Sequence, residues 1–189
     1  MKQLPPSFIV GIGASAGGLA AYSALLDALS PRTGMAFVIV SHLLPTAHSQ
    51  LAYLLSMRTS MKVMVVSTGM RIRANHVYVL APNSDLLIDG SVFKVVSPRS
   101  RGNVQVDTFL TSLANAKGAR AVGVILSGYD GDGTEGCKQI KAMGGLVFAQ
   151  DKSAEVGFMP LSVQASGCVD FVLPPDKIAE ELCRLASRE

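Results

Sequence analysis

Three side-chain types able to perform acyl transfer stand at suggestive places in the chain. Gly13-Ala14-Ser15-Ala16-Gly17 has the GxSxG form of a nucleophile elbow. Small neighbours allow the tight strand-to-helix turn that lifts a serine hydroxyl clear of a sheet edge. A hydroxyl is a weak nucleophile until a base takes its proton, so a histidine must stand nearby. The chain has three, at His42, His48 and His76. His42 ends an apolar run, His48 begins a helical segment, and His76 precedes a strand and so points to its wrong end. His42 is therefore the expected base. A carboxylate must then hold the imidazole in one tautomer. Asp130, Asp132 and Asp151 each follow an apolar run and qualify by position; spacing alone does not choose between Asp130 and Asp132.

The elements around these residues alternate between short apolar runs and helical patterns. Residues 7–12 read as a first strand. A helix opens at Gly17-Gly18, with Leu19, Tyr22, Leu25, Leu26 and Leu29 on one side. A strand at 35–41, a helix at 48–57 and a strand at 63–66 follow. Strands at 77–80, 85–88 and 92–96, with the Asp89-Gly90 turn, read as an antiparallel insertion near 76–96. Alternation resumes with helix 107–117, strand 121–126, helix 133–143 and strand 146–150. A short helix at Pro160, a strand at 169–173 and a terminal helix ending near Ala186 complete it. Uniformly apolar strands separated by helices predict an α/β fold, a doubly wound, mostly parallel sheet with helices on both faces. In such sheets the site lies beyond the carboxyl ends of the strands, where Ser15, His42 and the three aspartates all fall.

Composition narrows the function class. The 189 residues are 49% hydrophobic and 16% charged, with a net charge of +3 and no basic stripe, which argues against nucleic-acid binding. No run approaches the ~18 apolar residues of a membrane span, and the N-terminus lacks a signal core. Cys137, Cys168 and Cys183 are odd in number and lack metal or CxxC spacing. The expectation is a single cytoplasmic domain over residues 1–189, with no cofactor and no metal.

Other readings compete for the same residues. Gly11-Ile12-Gly13-Ala14-Ser15-Ala16 also fits a GxGxxA dinucleotide turn. That motif wants an acidic residue closing the second strand, where this chain has Ser41-His42. Ser15 could be a helix N-cap and nothing more. The Ser127–Gly133 loop has the look of an acidic metal loop, but carries only two close carboxylates. The order Ser…His…Asp excludes the ordinary α/β-hydrolase template, whose histidine comes last.

The stretches IVGIGASAGG (9–18), FVIVSHLLP (37–45), HVYVLAP (76–82), VQVDTFLTSLA (104–114), VGVILSGYDGDGTEG (122–136) and FMP (158–160) occur in that order over nearly the whole chain. Together they resemble the catalytic domain of chemotaxis receptor methylesterases, the CheB family. The resemblance implies a triad of Ser15, His42 and Asp132, and so chooses Asp132 over Asp130. It implies oxyanion donors from the backbone N–H groups of Ala16 and Tyr129; the N–H after the nucleophile follows independently from the elbow. It implies hydrolysis of glutamate methyl esters, or deamidation of glutamine, on the cytoplasmic helices of methylated chemoreceptors. Sensory or methyltransferase proteins would be further partners. The chain departs from the family pattern at several positions. Ala16 stands for the usual threonine, and Tyr129 for a common methionine. Asp130-Gly131 replaces a more neutral pair, and Asp85 takes the place of a common histidine. No receiver domain stands before the matching stretches, so activation by aspartyl phosphorylation is not implied.

Overall fold

A computed structural model describes residues 5–42 and 50–187. The elements are β1 (Ile9–Ala14), α1 (Gly18–Ala28), β2 (Ala36–Ser41), α2 (Leu51–Ser56), β3 (Lys62–Val65), β4 (His76–Val79), β5 (Asp85–Asp89), β6 (Val92–Val96), α3 (Gln105–Lys117), β7 (Ala121–Ile125), α4 (Thr134–Ala142), β8 (Leu146–Gln150), α5 (Phe158–Ala165), β9 (Phe171–Leu173) and α6 (Pro175–Ala186). His48, and with it the start of the expected helix at 48–57, lies outside the described residues.

Seven strands form one sheet in the order β3-β4-β2-β1-β7-β8-β9, and every neighbouring pair is parallel. β1, β2 and β7 are buried nearly throughout, as strands covered on both faces must be. One apolar core joins the sheet to α3, α4, α5 and the β5–β6 hairpin, through Phe109, Leu110, Ile140, Met159, Val163, Leu86 and Phe93. The other joins the opposite face to α1, α2 and α6, through Tyr22, Leu25, Leu55, Ile178 and Leu182. The doubly wound α/β expectation holds.

The antiparallel insertion is smaller than the sequence implied. β4 pairs in parallel with both β2 and β3, so it belongs to the main sheet. Only β5 and β6 are antiparallel, joined through the Asp89-Gly90 turn. Strand character and period look the same in a parallel and an antiparallel partner, so pairing partners had to come from the tertiary structure. α3 begins at Gln105, two residues before its expected start at 107, and those residues matter for the site.

The winding reverses at β1. From there the chain lays β2 beside β1 and β3 at the edge, fills the gap between them with β4, then returns to lay β7, β8 and β9 on the other side. A crevice opens at the carboxyl ends where the direction switches. Gly13, near the end of β1, lets α3 pack closely beneath that edge. A Cβ there would come within 2.5 Å of Val106 Cγ1 and 3.3 Å of Ile125 Cδ1, so only glycine lets the start of α3 rest on β1. Gly13→Ala is expected to destabilise the fold by about 1–3 kcal/mol through overpacking. The check is a denaturant midpoint that falls at unchanged slope.

Candidate active site

Ser15 immediately follows β1, and its main chain is pinned. Ser15 N–H donates to Ser127 O at 2.9 Å, extending the pairing of β1 with β7 beyond the last paired residues. Ser127 Oγ donates to Ala16 O at 2.7 Å and accepts Val156 N–H at 2.9 Å. This hydroxyl therefore ties together the loops after β1, β7 and β8. Gly17, at φ 74°, turns the chain into α1. A Cβ on it would lie 2.5 Å from Ser127 Oγ. Gly17 is the N-cap of α1, and no side chain caps that helix. Ser15 is thus not the capping residue, and its side chain is left for other work.

His42 follows β2 in register. Ala14 of β1 pairs with Ser41 of β2, so Ser15 and His42 are the next residues on two adjacent parallel strands, whose spacing is about 4.8 Å. Tyr22 of α1 holds this corner. Its hydroxyl lies 2.7 Å from Ser41 Oγ and donates to Val40 O at 3.2 Å. The other histidine described, His76, begins β4 at the opposite end of the sheet and contacts Ala74 O within its own turn.

Asp132 is held by the start of α3. Val106 N–H donates to its Oδ2 at 2.9 Å, and Asp107 N–H to its Oδ1 at 2.8 Å. Both amides belong to the first turn of α3, where N–H groups lack helical partners and the helix dipole favours an anion. Asp132 is buried, and its Oδ2 also meets His42 Nε2 at 2.6 Å. A carboxylate already accepting two amides receives this bond as an acceptor, so Nε2 carries the proton. In the neutral ring the basic nitrogen is then Nδ1.

Nδ1 is buried and has no hydrogen-bond partner among the described residues. Asp130 Oδ2 lies 3.1 Å from it, close enough for strong Coulombic attraction but misaligned for a hydrogen bond. Asp130 is oriented by a tight turn in which it accepts Asp132 N–H at 3.1 Å. Burial pushes the His42 pKa down, but the Asp132 hydrogen bond and the charges of Asp130 and Asp132 outweigh it and Arg99, leaving the pKa raised. Among the described residues, no hydrogen bond joins Ser15 Oγ to His42, and the N–H groups of Ala16 and Tyr129 have no protein acceptor. Ala16 directly follows Ser15, and Tyr129 stands two residues past Ser127, whose carbonyl accepts Ser15 N–H.

The structure therefore brings His42, Asp130 and Asp132 into contact, with Ser15 beside them. Asp151 is not part of this cluster; it accepts Ser153 N–H in its own loop at 2.9 Å. Asp85 is buried and accepts both the N–H and the hydroxyl of Ser100 at 2.7 Å, so it anchors the segment leading to α3 from within.

The sequence reading missed two contributors, the α3 amides and Asp107. Asp107 Oδ1 accepts Gly136 N–H at 2.8 Å, joining α3 to α4 behind Asp132. Burial, opposed by that hydrogen bond and reinforced by the Asp132 charge, raises its pKa from 3.8 to about 6. An acidic residue in a helix's first turn was the available signal.

The Asp107 carboxyl stays protonated in the folded chain at pH values where the unfolded chain has already released it. Its contribution to stability is complete below pH 3.8 and is lost as pH rises through about 6. In Asp107→Asn, which still offers an oxygen to Gly136, the stability slope across that window should become flatter than wild type, as measured by urea denaturation at several pH values. Asp132→Asn is expected to cost about 1–3 kcal/mol, because an amide N–H₂ must face a buried N–H donor. Its urea midpoint checks this.

Comparisons with known proteins bear on the family and the fold. Residues 10–182 match the CheB methylesterase family. A protein of Leptospira interrogans (strain Fiocruz L1-130), provisionally named a protein-glutamate methylesterase/protein-glutamine glutaminase, is 34% identical over 178 residues, covering 92% of each chain. The protein-glutamate methylesterase/protein-glutamine glutaminase of group 3 operon of Rhizobium meliloti (strain 1021) is 33% identical over 98% of this chain but only 55% of its own length. The crystal structure of the Thermotoga maritima CheB methylesterase catalytic domain superposes with a TM-score of 0.88 at 29% identity, covering 94% of this chain and 98% of that one. Parallel strand order, the serine turn and the family match thus converge: the chain belongs to the CheB methylesterase family.

Proposed function

We propose that the chain is a serine hydrolase that cleaves glutamate methyl esters, and deamidates glutamine, on the cytoplasmic helices of chemoreceptors. One observation carries the chemistry. His42 is fixed by Asp132 through Nε2, at the strand end beside Ser15, and among the described residues its Nδ1 has no hydrogen-bond partner.

Ser15 Oγ attacks the side-chain carbonyl carbon of the substrate while Nδ1 of His42 takes its proton. Asp132 holds Nε2–H and stabilises the imidazolium that forms. The N–H groups of Ala16 and Tyr129 receive the oxyanion, each contributing on the order of 3 kcal/mol. Nδ1–H then protonates the departing methoxide, or the departing amine of a glutamine, and methanol or ammonia leaves. Water repeats the sequence on the glutamyl–Ser15 ester and regenerates the hydroxyl. The Ser15-to-Nδ1 bond closes only when substrate is seated, since catalytic hydrogen bonds are often long in unliganded sites.

A groove of about 730 Å³ leads from Ser15 along α1. Ala20, Ser23 and Ala24 form its floor, and Asp27 and Arg58, 3.6 Å apart, mark its far end. Small side chains allow a helical substrate to approach the nucleophile closely. Tyr129, Phe158 and Leu161 stand strongly exposed near the Gly128–Gly157 bridge, amphipathic and apolar contacts for such a helix.

Ser15→Ala and His42→Ala should each lower methanol release from methylated receptor by ~10⁴-fold or more, because the members of a triad act as a unit. Turnover that survives either change would remove the mechanism. Equal activity toward small esters and receptor fragments would place the substrate outside chemotaxis. A Ser15 that resists a serine-reactive phosphonate would favour a binding module without catalysis.

A further inference from the structure

The His42 ring faces two carboxylates, and only one of them has a place in the triad. Asp132 takes Nε2 at 2.6 Å, and Asp130 stands 3.1 Å from Nδ1, the nitrogen that must receive the Ser15 proton. Asp130 is not there by chance of a loose side chain. Its turn to Asp132 N–H fixes it, and Gly128, where a Cβ would meet Met159 Sδ at 1.9 Å, lets the start of the loop lie against α5.

We propose that Asp130 is a positioning residue that holds the site in a resting state, with the His42 ring protonated on both nitrogens and spanning Asp130 and Asp132. This rests on the reading of His42 as the base for Ser15. In that state Nδ1 bears a proton and cannot accept one, so Ser15 stays unactivated. The ring becomes a base when the Nδ1 proton passes to solvent along the partly exposed Asp130 side chain, and Ser15 Oγ–H takes over the contact with Nδ1. Asp130 thereby sets the pH below which the site is silent. A cationic group on a bound partner that pairs with Asp130 would relieve the same hold.

Among the described residues, the charged groups facing the ring are few. Asp130 and Asp132 come from the β7–α4 loop, and Arg99, from the segment after β6, opposes them. Asp107 of α3 stands behind Asp132, and Tyr22 of α1 meets Ser41, the residue before His42. Arg99 is the single cation among them, so the balance of charge favours the protonated ring.

Asp130→Asn tests the proposal, because the amide oxygen can still accept Asp132 N–H while the negative charge is gone. The imidazole resonance of His42, identified by its loss in His42→Gln, is titrated by NMR in wild type and variant. The midpoint should fall in Asp130→Asn and return toward wild type in Asp130→Glu. The acid limb of the turnover profile should move to lower pH by the same amount, raising acid-side turnover about tenfold for each unit of midpoint. A midpoint that does not move in Asp130→Asn, with an unchanged melting temperature showing an intact fold, overturns the proposal. So does a limb that moves the other way. Wild-type protein without turnover would instead remove the hydrolase reading, and the titration would still decide the role of Asp130.

Discussion

The site depends on the grip of α3 on the Asp132 carboxylate. A buried carboxylate is costly unless its lone pairs are met by donors, and here two first-turn amides and an imidazole N–H meet them. This arrangement fixes three things together. It keeps Asp132 an acceptor, it therefore puts the proton of the neutral ring on Nε2, and it leaves Nδ1 as the basic nitrogen. The tautomer of His42 thus follows from where a helix begins.

Several features of the fold serve that grip. α3 reaches Asp132 because Gly13 lets Val106 lie against β1. Asp107, one residue later, turns its own carboxyl to α4 and ties the two helices together behind the acid. On the other side Ser127 links three loops, which sets the serine turn against the β7 loop that carries Tyr129, Asp130 and Asp132. The same short loop sets both carboxylates against the His42 ring, Asp132 at Nε2 and Asp130 at Nδ1.

Much of this was legible in the residues. Apolar runs and helical spacing located the sheet and its order of elements. The rule that sites lie beyond strand carboxyl ends picked out Ser15 and His42 and set His76 aside, and the register of Ala14 with Ser41 agrees. Asp151 met the same rule and is elsewhere, because the rule identifies an edge and an edge is several strands wide. β4 was grouped with the hairpin, since a strand's own residues do not say which neighbour it pairs with. Asp85, which takes the place of a common family histidine, is buried and holds Ser100, a role its residue type did not announce.

By itself the sequence determined the class of fold and the glycine-rich turn that carries Ser15, and it narrowed the titratable groups near that turn to a small set, because these follow from local pattern and residue chemistry. Only the tertiary structure decided which carboxylate takes which nitrogen of His42. Asp130 and Asp132 are chemically identical and two residues apart, and what separates them is the pair of α3 amides that reach one and not the other. Those amides lie some 25 residues away in the chain, and only the packing of α3 against β1 and β7 brings them to the loop.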